Sequence, residues 1–511
     1  VEAFQHFAIY AIVTPLFVAV LVPIITLWKK NWGMPLAGLA LAVSLILSSL
    51  LVPHVQAAGY LSYHLGSWEP PFGIEIRIDF LGVLMMVLVS AICLIVAVYS
   101  LRYIAPSRPK GEKTFFFSGE ELEEGKRPVY YSLYLVVSAA MLGFVATGDI
   151  FNMFVFFELM AICSYALVAI PGSRLSIRAA VKYMLMAVPA AMLTLLGISL
   201  LYAVTGTLNM IDLAGRIASS GYAQVITASY VLIVVGFAVK AAVFPLHVWL
   251  PDAHSKAPSP ISALLSGLIV KMGIFGIIRF SFSVYGDYFT SSLNWVGDIV
   301  IWVAAGAIIY GAIMAIRQKD FKIMIAYSTV MNIGYIMLGF GLADVTALVG
   351  GTYHIVGHAL AKACFFLCAG SIISRSGYRT IEDLKGASRK MPLTCAAFAL
   401  ASLSIVGIPP TAGFVGKWYL VWGSLNTGNA FLGVVVLVGS IMAAVYCFRV
   451  VYYMFFLPPA KGAWQEVSGE APVSMVAPTW ILAAGALVLG VLSSWILPSL
   501  REAIESLMLL S

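Results

Sequence analysis

The chain has 511 residues, of which 61% are apolar or aromatic and only 10% charged, where an ordinary soluble domain is about 25% charged. A soluble fold cannot hide that much apolar surface from water, which excludes a soluble enzyme, a disordered chain and a nucleic-acid binder. The net charge of +7 is then a property of loops between membrane spans and not a basic binding face.

Taken in chain order, the apolar runs predict fourteen spans: near residues 7–28, 34–53, 79–101, 129–147, 150–170, 177–206, 225–250, 258–282, 295–316, 322–342, 346–373, 392–421, 429–457 and 476–498. Most run about 18–25 residues, the helix length that crosses roughly 30 Å of hydrocarbon. Barrel strands would alternate over about ten residues, and no such alternation is present. The expectation is an all-α integral membrane protein. Val1 is followed by a full span and not by a short cleavable signal.

The loop charges give an orientation. If the N-terminus faces outward, 20 of the 30 Lys and Arg residues fall in inward loops, and only Arg77, Arg216, Arg279 and Arg501 fall outward. That is the positive-inside bias of a multi-pass protein in the cell membrane, with both termini on the outer side. The segment 104–128 carries Pro106, Pro109, Gly111, Gly119 and the acidic residues Glu120, Glu121, Glu123 and Glu124. It reads as an exposed cytoplasmic loop, either a solvated connector or a partner contact.

Two spans are expected to be broken. The seventh carries Pro245 and Pro251 in KAAVFPLHVWLPDAH, and the twelfth carries Pro409 and Pro410 in SIVGIPPTAGFVGK. Proline removes a backbone donor and clashes with the preceding turn. In lipid, freed backbone groups are tolerated only where protein or water satisfies them. A pair of interrupted spans, one in each half, points to an ion site; a plain kink is the alternative. A faint repeat accompanies them: Lys240 follows Lys182 by 58 residues, and Lys417 follows His358 by 59.

Charges at bilayer depth are costly and tend to mark ion pathways. Six basic residues remain inside spans: Lys182, Lys240, Lys271, Lys362, Lys417 and Arg449. Glu158, in GDIFNMFVFFELMAICSYALVAI, is the acidic residue that lies deep in a span. A Glu158–Lys240 pair could hold or release a proton as it opens and closes. Lys271, in SGLIVKMGIFGIIR, is too deep to snorkel, and Lys417 beside the second break suits a terminal proton station. His354, His358 and Lys362 recur every four residues and share one helix face. They read as a proton wire, or as structural hydrogen-bonding groups. Lys182 reads as a snorkelling lysine or a relay partner, and His247 and His254 flank the seventh-span break on the entry side. Ser164, Tyr165, Ser328 and Thr329 could hold water between stations, or simply pack. The six cysteines, Cys93, Cys163, Cys364, Cys368, Cys395 and Cys447, lie in apolar segments without CxxC spacing, so no disulfide framework or cluster is expected. No cofactor, no metal ligand set and no hydrolytic motif is expected either.

The segment around Glu158 resembles the fifth-span motif of antiporter-like membrane subunits. Residues 234–279 resemble their broken seventh and eighth helices, YHIVGHALAKACFFLCAGSII their eleventh, and GIPPTAGFVGK their broken twelfth. The family includes the three large antiporter-like subunits of respiratory complex I, the A and D subunits of Mrp cation/proton antiporters, and subunits such as H of energy-converting membrane-bound hydrogenases. The resemblance implies fourteen helices with two inverted five-helix repeats: helices 4–8 over 129–282 and helices 9–13 over 295–457. Three helices and a charged loop (1–128) precede them, and a last helix (458–511) follows. It also implies that Glu158, Lys240, Lys271 and Lys417 form a central charged axis. A lysine at position 417 departs from complex I relatives that have glutamate there. The function so implied is proton translocation by one subunit of a respiratory membrane-bound hydrogenase or related complex, the redox chemistry belonging to partner subunits. The alternatives are a D-type subunit of a multisubunit Na+/H+ antiporter, with sodium moving nearby, and a non-transporting membrane scaffold.

Overall fold

The computed structural model describes residues 2–104, 122–460, 463–465, 467 and 469–509. Most of the expected cytoplasmic loop 104–128, including Glu120 and Glu121, lies outside the described residues. The elements run α1 Glu2–Trp28, α2 Gly33–Ala58, β1 Tyr60–His64, β2 Glu75–Asp79, α3 Phe80–Ile104, α4 Arg127–Ala146, α5 Ile150–Ala169, α6 Arg174–Thr205, α7 Met210–Ile217, α8 Ala223–Lys240, α9 Leu250–Lys256, α10 Ser259–Leu264, α11 Val270–Arg279, α12 Gly286–Ser292, α13 Asn294–Arg317, α14 Phe321–Gly341, α15 Val345–Ser376, α16 Pro392–Val406, α17 Ala412–Asn426, α18 Ala430–Phe455, α19 Val473–Val491 and α20 Ser493–Leu509. A π-helical turn, Leu265–Ile269, joins α10 to α11, and a second, Phe280–Val284, follows α11.

Among the described residues thirteen helices are long and apolar enough to cross a membrane. The remaining expected span, 392–421, is realised as α16 and α17, each 15 residues and too short to cross alone. The break falls at Gly407–Thr411, where Pro409 and Pro410 interrupt the helix. The seventh span breaks at the expected place too: α8 stops at Lys240, and helix resumes at Leu250. Ala242 adopts φ +52° inside that break.

Four features were not expected from the sequence. β1 and β2 form an antiparallel hairpin that pairs Tyr60 with Asp79 and His64 with Glu75. The short helices α7 and α12 lie at span ends. The last span ends at Val491 instead of 498, and α20 follows as a separate helix. Its buried residues Leu500, Ile504 and Leu507 fall on one face, with the exposed Arg501–Glu505 pair on the other. Strand alternation is short here and helical amphipathicity spans few turns, so neither rises above the apolar background.

The two long central helices, Ser259–Val284 and α15, are buried along their whole apolar lengths, while α1, α2, α6 and α18 present wide apolar faces outward. One construction recurs 171 residues apart. Asp149 caps α5 by accepting from Asn152 N, and Asp320 caps α14 by accepting from Ile323 N. Each such cap is worth about 1 kcal/mol. Asp149 bridges Asn209, and Asp320 bridges Thr380. Gly206 ends α6 and Gly377 ends α15, both in the left-handed region, where a side chain is strained. This is not the spacing of 58 and 59 residues seen between basic side chains. At an offset of 171, Lys182 falls on Tyr353, His358 falls on Ala187, and Glu158 falls on Thr329.

Candidate functional site

α5 and α8 bring Glu158 and Lys240 into a salt bridge. Lys240 is 2% exposed and Glu158 21%. Lys240 is the last residue of α8, so its ammonium stands at the negative end of a helix. Its Nζ also lies 4.1 Å from the centre of the Phe157 ring. The break beyond it is held by Trp249, whose Nε1 donates to the Val239 carbonyl at 2.9 Å and whose ring stacks on Tyr183 at 4.0 Å. The Val239 carbonyl, which also accepts from Ala242 N at 3.1 Å, thus has two donors at the interrupted end of the helix, where a dry interior offers no water.

Lys271 is fully buried and donates to the Ser266 carbonyl, inside the first π turn. The wider turn leaves that carbonyl available, a common use of π-bulges at functional sites. Ser266 Oγ in turn meets Thr329 Oγ1 at 2.7 Å. The neighbouring Ser328 accepts from Lys362, which also donates to the Ile325 carbonyl at 3.0 Å. His354 Nε2 donates to Asn332 Oδ1 at 3.0 Å, and Asn332 donates to the Ser328 carbonyl at 2.7 Å. The His354 and His358 rings lie parallel, 5.9 Å apart. Both His358 nitrogens are buried without a partner among the described residues. At the far end, Lys417 donates to the carbonyls of Ile405 and Val406 at 2.8 and 3.1 Å. It caps the C-terminus of α16 from the other side of the break, and lies 4.5 Å from the Tyr335 ring, which itself packs on His354.

Glycines set these distances. A Cβ on Gly416 would stand 2.9 Å from His354 Cβ, so α17 lies directly on α15 and delivers Lys417 beside His354. A Cβ on Gly273 would stand 2.8 Å from the Phe237 carbonyl, which brings the end of α8 against the helix bearing Lys271. Among the described residues no side-chain hydrogen bond joins Lys240 to Lys271; the link is this packing contact.

Thus the structure brings Lys271, Lys362, His358, His354 and Lys417 into one buried row, with the Glu158–Lys240 pair at the neighbouring break. His254 joins the row's flank: it is fully buried, its ring stacks on Phe366 at 4.7 Å, and neither ring nitrogen has a partner among the described residues. His247 is buried among Phe244, Tyr310 and Tyr327. Lys182 stands apart: 43% exposed, it pairs with Asp252 at 2.5 Å on the outer surface of the bundle. Arg449 serves the fold, donating to the Ile316 and Gln318 carbonyls at the end of α13.

Four polar participants escape the sequence reading. Ser266, Asn332 and Tyr335 are neutral and look like any polar residue of a span. Lys322, counted with the loops, is 2% exposed and donates to the Ala257 carbonyl; its place in the first turn after the capping Asp320 was the available signal. All six cysteines are buried and free. Among the described residues no three His, Cys, Asp or Glu side chains converge as a metal-binding group.

The family profile described as NADH:quinone oxidoreductase/Mrp antiporter, TM, matches residues 147–443, more than half of the chain. The chain belongs to this antiporter-like membrane subunit family. A second profile, NADH-ubiquinone oxidoreductase (complex I), chain 5 N-terminus, matches residues 66–116. The N subunit of the NADH-quinone oxidoreductase of Desulforudis audaxviator is 36% identical, over 97% of this chain and 98% of its own length. The D subunit of the Na(+)/H(+) antiporter of Bacillus subtilis is 30% identical, over 99% and 97%. A chain of the membrane-bound sulfane sulfur reductase, an archaeal respiratory membrane complex, has the same fold with a TM-score of 0.86, at 28% identity over 98% of this chain and 97% of that one. The chain is therefore a multi-pass membrane protein of the antiporter-like family, and every member of the buried row lies within the matched 147–443.

One consequence of this geometry concerns stability. Asn332→Ala leaves His354 Nε2 without its partner in a buried site, while the Ser328 carbonyl keeps its helical backbone donor. The expected loss is about 1–3 kcal/mol, read as a lower Tm of the purified complex; an unchanged Tm would show that the row is slack there.

Proposed function

We propose that this antiporter-like subunit translocates protons in a redox-driven respiratory membrane complex of the membrane-bound hydrogenase or a related type, in the cell membrane. The observation that carries the reading is the Glu158–Lys240 pair at one helix break, beside a buried row of amines and imidazoles that ends on Lys417 at the other break. Three of these lysines, Lys271, Lys362 and Lys417, donate to carbonyls or hydroxyls and not to carboxylates. An ammonium has three donors and a neutral amine still has two and gains an acceptor, so each can pass a proton on without leaving its site.

In this reading protons enter from the inward side near Lys240 and His254. They pass Lys271, then Lys362, His358 and His354, and leave outward from Lys417. Glu158 gates the step by pairing with Lys240, and Lys182 with Asp252 is a relay at the surface. Helices 4–8 and 9–13 act as two inverted repeats; the 171-residue recurrence of caps and bridges supports that division. The excess of basic residues in one set of loops supports an outward location of both termini. The partners are neighbouring antiporter-like subunits and a redox module that drives the pairing. The higher identity to a quinone oxidoreductase subunit than to an antiporter subunit supports the redox host. The second reading, a D-type subunit of a multisubunit Na+/H+ antiporter, is favoured by the match to such a subunit over 99% of this chain.

The test is Lys271→Met and Lys417→Met in the complex reconstituted in proteoliposomes. Losing a positioned proton carrier is expected to slow proton transfer by roughly 100-fold or more, with the subunit still assembled. Undiminished pumping in both variants would leave only the scaffold reading. Co-purified subunits identify the host: redox subunits support the first reading, and antiporter subunits alone support the second.

A further inference from the structure

Away from the buried row, a cavity of about 400 Å³ lies between the hairpin, α7 and the C-terminal helix α20. Its walls come from span ends on one side of the bundle: the end of α2 (Val55, Gly59), the start of α3 (Phe80), the α4–α5 connection (Thr147, Gly148) and the second π turn (Ser283). A cavity at the level where several helices end lies at headgroup depth. The surroundings agree. Trp68 and Phe72 on the hairpin loop and Trp495 at the start of α20 are exposed, the placement of aromatic side chains at a membrane–water interface.

The lining has two characters. Val55, Phe80, Ala214 and Leu507 make an apolar wall, and Arg77, Ser283 and Glu502 supply polar groups. Arg77 lies over the Tyr60 ring at 3.9 Å, and its nearest carboxylate oxygen, on Glu75, is 3.7 Å away. Glu75 is already engaged by Ser62 at 2.6 Å and Asn209 at 2.7 Å. Arg77 therefore keeps guanidinium donors for another anion. By contrast, Arg279 at the cavity's base is taken up by Asp79 through both of its terminal nitrogens. Ser283 Oγ is buried and has no partner among the described residues. The position of Arg77 is built in. A Cβ on Gly148 would stand 3.0 Å from Arg77 Cβ, so glycine is what lets the α4–α5 connection pass beneath it. Gln56 donates to Ser499 Oγ at 3.1 Å and holds α20 against α2 as the cavity's outer wall.

We propose that this cavity binds one phospholipid from the leaflet on the hairpin side. Its phosphate is held by Arg77 and the Ser283 hydroxyl, and the upper part of its acyl chains lies along Phe80, Val55 and Leu507. A guanidinium matches a phosphate oxygen pair in geometry and charge, and an apolar wall at this depth meets acyl chains and not water. Such a lipid would tie α20 to the hairpin.

The test uses the full chain in its purified complex, stripped of lipid by detergent exchange and read by native mass spectrometry and Tm. Phosphatidylethanolamine or phosphatidylglycerol added back is expected to bind at one per chain and to raise Tm. Arg77→Gln, which loses a charge-assisted bond, and Ala503→Trp, which fills the cavity from α20, are each expected to weaken that binding by about tenfold. Arg501→Gln, on the outer face of α20, is expected to bind like wild type. Equal protection by inorganic phosphate alone, or by diacylglycerol, which lacks phosphate, overturns the proposal. So does full lipid retention by either cavity variant. The add-back titration on the wild-type chain decides the matter even if a variant fails to fold: no specific lipid bound per chain also overturns it.

Discussion

Glu158→Ala is expected to abolish proton pumping and to destabilise the subunit more than Lys240→Ala does. The asymmetry follows from burial. Lys240 is 2% exposed and Glu158 21%, so removing the carboxylate strands a charge deep in the bundle. Removing the amine strands one that can still reach its surroundings. Breaking a buried pair from one side costs about 3–5 kcal/mol, which the Tm of the purified complex measures. Removing both charges, Glu158→Gln with Lys240→Met, leaves no stranded ion and is expected to recover most of the lost Tm. Pumping, measured by proton uptake into proteoliposomes, is expected to stay absent in the double variant. A double variant that pumps normally would remove the gate from the mechanism, and one that stays unstable would make the pair a structural element.

Gly413→Ala is expected to disable the second break. Gly413 lies in the first turn of α17, and a Cβ there would stand 1.8 Å from the Ser404 carbonyl oxygen of α16. The obstacle is backbone, so the two half-helices must move apart. Lys417 reaches the Ile405 and Val406 carbonyls across this same junction, and separation pulls it from both. Overpacking of this kind costs typically about 1–3 kcal/mol. Loss of pumping is expected with it, since Lys417 is the last station of the proposed route. Gly215→Ala is the control. It sits in α7, where a Cβ would meet nothing within 4 Å, and alanine is the better helix former there. It is expected to be neutral or slightly stabilising. Equal Tm and pumping in Gly413→Ala and Gly215→Ala would mean that the junction yields.

The charged members of the site were legible because an ionised side chain in an apolar span stands out against its neighbours. Glu158, Lys240, Lys271 and Lys417 are such residues, and proline pairs marked both breaks. Lys182 shows the limit of that signal. It sits in a span like the others, yet it faces outward and pairs with Asp252, because a one-dimensional pattern does not say which side of a helix meets the bundle. Lys322 fails in the opposite direction: a loop-edge lysine by sequence, it turns inward to the Ala257 carbonyl. Ser266, Asn332 and Tyr335 gave no signal at all, since neutral polar residues are common in spans and acquire a role only from what they touch.

From its residues alone this chain was bound to be a membrane-embedded helical bundle, because runs of apolar residues of that length have no other stable solvent and a helix satisfies its own backbone there. The loci of the breaks followed as well, since proline acts locally. Contact between residues far apart in the chain was decided only in three dimensions. The α5–α8 meeting that pairs Glu158 with Lys240, the glycine contacts that lay α17 on α15, the hairpin, and the 171-residue recurrence all depend on which helix faces pack together. That choice is made by shape and small-residue complementarity across the whole bundle, and no single segment encodes it.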